Sequence, residues 1–110
     1  MLVLSENTLH EIKKAADPIL RDGGARKAMV IGSVARGDAD EYSDLDVIII
    51  ADTDKPFVER YEDFFGILRI WRRGVDLFVY TPEEFESMRE RDNPFLRKAM
   101  EDAVTIYEKQ

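Results

Sequence analysis

The stretch Ser43-Asp44-Leu45-Asp46-Val47-Ile48-Ile49-Ile50-Ala51 constrains the fold of this chain more than any other. From Asp44 to Ile50 it is short and rich in β-branched residues, which predicts a strand. Successive strand side chains point to opposite faces. Leu45, Val47 and Ile49 therefore share one face, while Asp44, Asp46, Ile48 and Ile50 share the other. The Val-Ile-Ile-Ile run must be buried, yet its head carries two aspartates, a residue that strands disfavour. Two like charges side by side on a buried strand cost stability unless something positive sits between them.

The elements around this strand predict an α/β domain. Leu9, Ile12, Ala16 and Ile19 recur at helical spacing from about Ser5 to Leu20, with Thr8 and Glu11 as an internal capping box. Pro18 should kink or restart the last turn, and Gly23-Gly24 should end it. Lys27 to Ile31 is expected to be a short buried strand bounded by Gly32. Asp52 to Pro56 reads as a turn, and Phe57, Tyr61, Phe64, Leu68 and Trp71 as a core-facing helical stripe ending before Gly74. Val75 to Tyr80 is a further strand with Asp76 as its second residue. Thr81-Pro82-Glu83-Glu84 combines a cap, a proline at the first helical position and a glutamate three residues after the cap, a strong helix start. Asn93-Pro94 opens a short helix through Met100, and Ala103 to Tyr107 is a candidate edge strand.

A helix-length crossover between the two acid-bearing strands implies that they run parallel. Parallel neighbours bring their N-terminal ends together, so Asp44, Asp46 and Asp76 should meet at one sheet edge. The Gly32-Ser33-Val34-Ala35-Arg36-Gly37 turn, directly after a strand, can reach the same edge. A strand running into Gly-Ser and a helical turn presents backbone N–H groups and a hydroxyl, a setting that suits phosphate. Arg36 could add a charge-assisted contact, although an ordinary strand-to-helix turn has the same sequence appearance. A single aspartate would be explained by turn capping or solvent exposure. Three on two strands beside a Gly-Ser turn favour Mg²⁺, which binds through a few carboxylates plus substrate phosphate oxygens. Two such ions about 3.5–4 Å apart would activate an attacking oxygen and stabilise a leaving pyrophosphate.

Gly32-Ser33 to Gly37, then Asp44-x-Asp46, then a later strand aspartate resembles the signature of the DNA polymerase β-like nucleotidyltransferase superfamily. The tighter form, with Ser43-Asp44-Leu45-Asp46-Val47, resembles its minimal nucleotidyltransferase (MNT) branch. The resemblance implies a small mixed sheet of three core strands, with a further edge strand, flanked by helices. It implies that Asp44 and Asp46 ligate two Mg²⁺ ions, and that Asp76 ligates the catalytic one and helps deprotonate the acceptor. Gly32 and Ser33 would hold the NTP phosphates, with Arg36 as a weaker carry-over. Members of this size resemble the antitoxins of HEPN/MNT pairs, in which AMP from ATP is added to a tyrosine of the HEPN ribonuclease. Hence the expectation is an ATP-using enzyme with a HEPN-type toxin as partner, in a hetro-oligomer or across a homodimer. Transfer to a small molecule such as an aminoglycoside, and silencing of a toxin by occlusion without catalysis, are the competing functions.

Bulk properties narrow the classes. With 110 residues and no recognisable repeat or linker, residues 1–110 are expected to form one domain, too short to carry its own acceptor module. There is no cysteine, so disulfides and thiolate metal sites are excluded. The net charge of -7 argues against duplex nucleic acid as a partner. The Met1 to Glu6 segment lacks a basic region ahead of an apolar one, and Val47 to Ala51 is too short to span a bilayer. A cytoplasmic, non-membrane location is the expectation. His10 should face solvent, Arg69, Arg72 and Arg73 read as favourable charge at a helix C-terminus or as a partner contact, and Tyr42 could stack on a base or simply pack.

Overall fold

The computed structural model describes residues 7–110. Helix α1 spans Thr8–Asp22, strand β1 Ala25–Ile31, and the short helix α2 Gly32–Arg36. Strand β2 spans Leu45–Ala51, followed by a 3₁₀ segment over Phe57–Arg69, strand β3 at Val75–Tyr80, helices α3 at Pro82–Glu90 and α4 at Pro94–Asp102, and strand β4 at Val104–Glu108. Ser5 and Glu6, included in the expected first helix, lie outside the described residues. That helix starts with Asn7 as its cap, whose carbonyl accepts from the Glu11 N–H at 2.9 Å, so Thr8 is already helical and does not head an internal capping box. The helix runs on through Pro18 to Asp22.

The strands form one sheet in the order β3-β2-β1-β4. β2 and β3 are parallel, as the crossover length predicts, and β1 pairs antiparallel with both β2 and β4. The alternation along β2 divides two layers of core. Leu45, Val47 and Ile49 pack with Ile12, Ala16, Phe64 and Trp71 on one face. Ile48 and Ile50 pack with Met29, Ile31 and Leu96 on the other, covered by Phe85 and Met88 of α3 and Ala99 of α4. Each such buried side chain contributes about 1.5–3 kcal/mol, which is why β2 tolerates no slip in register. Asp46 belongs by parity to the second face, at the end of β2 that leaves the apolar layer.

The segment after β2 departs from the expected α-helix. It is 3₁₀, with a non-helical residue at Phe64. The break at Phe64 interrupts a continuous helical stripe, so Phe64 and Ile67 turn inward while Phe57 and Tyr61 are left exposed. Arg60, which the apolar stripe overlooks, is buried instead. Its guanidinium donates to the carbonyls of Lys55 (2.9 Å) and Val79 (3.0 Å) and to both carboxylate oxygens of Glu84 (2.6 and 3.1 Å). Glu84 is also the third residue of the predicted capping box, which is formed in full with Thr81. One glutamate thereby ties the start of α3 to the 3₁₀ segment.

Candidate active site

The register of β2 and β3 places Asp46 opposite Asp76. On its other side Asp46 pairs with Ile31, the last residue of β1. Asp46 is half-buried and its carboxyl is pushed up to about 6. Burial is the main cause; the Asp76 charge, a hydrogen bond to Asp76 and the Asp44 charge add to it. Asp76 itself is exposed, on an edge strand.

Asp44 sits one residue before β2, so the sheet ladder does not hold it. Its Oδ1 accepts the Gly74 N–H at 3.1 Å, and the Leu45 N–H donates to the Gly74 carbonyl at 2.9 Å. A Cβ at Gly74 would lie 3.0 Å from that same Oδ1, so the backbone can approach the carboxylate only because no side chain intervenes. Among the described residues, no three His, Cys, Asp or Glu side chains are gathered as a ready metal-binding group. Asp46 and Asp76 face each other, while Asp44 is turned to Gly74.

The Gly-Ser turn comes to the same end of the sheet. Gly32 has φ +74, a left-handed backbone that L side chains rarely adopt, and a Cβ there would stand 3.2 Å from Asp46 Oδ2. Ser33 is half-buried in the first turn of α2, and its carbonyl accepts from the N–H groups of Gly37 (3.0 Å) and Asp38 (3.1 Å), closing the turn. Arg36 is directed elsewhere, donating to Asp38 at 3.2 Å and to Asp102 of α4 at 3.3 Å. A cavity of about 360 Å³ lies between α2 and α4, lined by Gly32, Arg36, Phe95, Lys98 and Asp102. A larger one of about 680 Å³, between α1 and β4, contains none of the three aspartates.

The donors offered by Asp44, Asp46 and Asp76 are all carboxylate oxygens, which suit a hard divalent cation such as Mg²⁺. The Asp76 and Asp44 charges, which add to the burial that raises Asp46, are also what a bound cation would offset. On both counts the residues present fit the metal.

Periodicity misses the partners of this site. Arg72 and Arg73 lie beyond the end of the 3₁₀ segment, and they do not act as cations at a helix terminus. Arg72 donates to the carbonyls of Asp40 (2.7 Å) and Glu41 (3.3 Å), and Arg73 to Glu41 (3.3 Å). Tyr42 is 67% exposed with the Arg73 guanidinium over its ring at 4.9 Å. The glycine after two arginines, just ahead of an acid-bearing strand, was the available signal. His10 is exposed, as expected.

Residues 12–107 match the family described as the nucleotidyltransferase domain. The chain is 28% identical over 73 residues to a Methanocaldococcus jannaschii protein named, provisionally, as a protein adenylyltransferase; the match spans 66% of this chain and 78% of that protein. Its fold is similar to that of a structure provisionally named a minimal nucleotidyltransferase, with a TM-score of 0.64, 22% identity, and coverage of 92% of this chain and 95% of the other. It is likewise similar to a toxin–antitoxin structure solved with AMP-PNP, with a TM-score of 0.61, 18% identity, and coverage of 97% and 76%. Among the described residues no helix is long and apolar enough to cross a membrane.

Proposed function

Because the chain belongs to the nucleotidyltransferase domain family and is a nucleotidyltransferase, we propose that it moves AMP from ATP to a tyrosine hydroxyl of a HEPN-type toxin and so silences it. The observation that carries this proposal is Asp46 paired with Asp76 directly beside Gly32. That arrangement sets carboxylates for a cation next to a backbone that a triphosphate can approach. Gly32 and Ser33 hold the phosphates, the former through its bare backbone and the latter through its N–H and hydroxyl. Asp44, Asp46 and Asp76 would hold two Mg²⁺ ions. When bound, these would neutralise the triphosphate and stabilise the leaving pyrophosphate.

The acceptor oxygen forms a bond to the α-phosphorus as the bond to the bridging oxygen of the pyrophosphate breaks. Pyrophosphate departs with that electron pair, and the hydroxyl proton passes to the Asp76 carboxylate. Asp76 is exposed on an edge strand, where a protein acceptor can reach it. A protein acceptor is favoured by the likeness to a protein adenylyltransferase and to a toxin–antitoxin structure holding an ATP analogue.

Co-expression with the partner followed by intact-mass measurement tests the proposal. The partner should gain about 329 Da per AMP transferred in this two-metal chemistry. With Asp76→Asn the partner should still bind but keep its mass. Silencing of the partner by wild-type protein with no added mass under saturating Mg-ATP would establish occlusion instead.

A further inference from the structure

Asp44 has no strand to hold it, yet its surroundings are more tightly tied than a surface loop requires. Within the loop, the Asp40 carboxylate accepts from the Tyr42 N–H at 2.8 Å and from the Ser43 hydroxyl at 3.2 Å. From outside, four consecutive residues donate to it. Trp71 Nε1 reaches the Ser43 carbonyl at 2.8 Å, and Arg72 Nη2 the Asp40 carbonyl at 2.7 Å. Arg73 Nε reaches the Glu41 carbonyl at 3.3 Å, and the Gly74 N–H the Asp44 carboxylate itself at 3.1 Å. Exposed loop carbonyls can be satisfied by water, so this concentration of protein donors is not needed for solvation.

Trp71 is 3% exposed and part of the main core, so the donors are anchored on the packed interior. Arg72 stacks over the Trp71 ring at 4.9 Å, which holds its guanidinium toward the loop. Two residues beyond Gly74 the same segment delivers Asp76 into β3. One stretch of backbone therefore presents Asp76 and grips the loop that carries Asp44.

We propose that Trp71, Arg72 and Gly74 form a positioning clamp that sets the Asp44 carboxylate relative to Asp76 for cation binding. The proposal rests on Asp44 being a metal ligand, and it assigns the clamp residues no contact with substrate. Hydrogen-bonded supports of metal ligands commonly change metal affinity by about 10–100-fold when removed. A residue that only stabilises the fold changes the melting temperature and leaves the affinity of the folded protein unaltered.

The test measures Mn²⁺ binding by electron paramagnetic resonance, using the full chain with a non-hydrolysable ATP analogue, at a temperature where each variant is folded. Arg72→Gln and Trp71→Phe should each weaken Mn²⁺ binding about tenfold, at the low end of that range. In an Asp44→Asn background the same substitutions should have no further effect, because they act through Asp44. If Arg72→Gln does not fold, Trp71→Phe, which keeps an aromatic ring in the core, decides the matter alone. Wild-type affinity in the folded clamp variants, or losses that add to that of Asp44→Asn, would overturn the clamp. An Asp44→Asn variant that binds Mn²⁺ as well as wild type would instead overturn Asp44 as a ligand, and the clamp with it.

Discussion

Replacing Asp46 by Asn should stabilise the metal-free protein at neutral pH. Burial and the facing Asp76 push the Asp46 carboxyl up to about 6. Folding therefore opposes its ionisation, the reverse of the usual carboxylate case. Well below pH 4 the group is neutral in both states and costs nothing. As the pH rises the unfolded chain ionises first, so stability is lost between about pH 4 and 6 and the loss is complete at pH 7. At about 1.4 kcal/mol per tenfold change, the full shift corresponds to roughly 3 kcal/mol. Asp46 is only half-buried, and solvent screening reduces the expected cost to about 1 kcal/mol. Asn has the same shape and can donate permanently to Asp76. In EDTA at pH 7, Asp46→Asn should melt about 4 °C above wild type, and at about pH 3 and below the two should converge. Adding Mg²⁺ with an ATP analogue should raise the melting temperature of the wild type and not of the variant. A variant less stable than wild type at pH 7, or a gain independent of pH, would refute the view that burial and charge crowding of Asp46 strain this site.

Glu84→Ala should cost about 2 kcal/mol in urea titrations at pH 7, because it strips the buried Arg60 guanidinium of its ion pair and removes half of a capping box. The hydrogen bonds from Arg60 hold the Glu84 carboxyl below its ordinary range, so this contribution is present above the unfolded value and should fade as the pH falls through the folded one. Ser33→Ala should weaken Mg-ATP binding by about 1 kcal/mol, roughly fivefold by calorimetry, and an unchanged affinity would remove the hydroxyl from the phosphate cradle. Gly32→Ala must adopt φ +74 and bring a methyl to 3.2 Å from Asp46 Oδ2, so it should lose nucleotide binding and also destabilise the fold by about 1–2 kcal/mol.

Much of this molecule is legible in short stretches of sequence. The division of β2 between two core layers follows from its alternation, the start of α3 from Thr81-Pro82 and Glu84, and the parallel pairing from the length of the crossover. These features depend on backbone periodicity and on hydrogen bonds spanning a few residues, so they can be read from local residue order. The tertiary structure alone decided the rest. It set Asp46 level with Asp76, turned Asp44 to Gly74, tied Arg36 to Asp102 and buried Arg60 against Glu84. It also turned the helix expected over 57–71 into a 3₁₀ segment broken at Phe64, with Phe64 and Ile67 buried. Each of these joins groups 24 to 66 residues apart or balances packing against local propensity. Register, burial and the direction of a long side chain are settled by which surfaces meet, and residue order records that only where a single strand must serve both faces of a sheet.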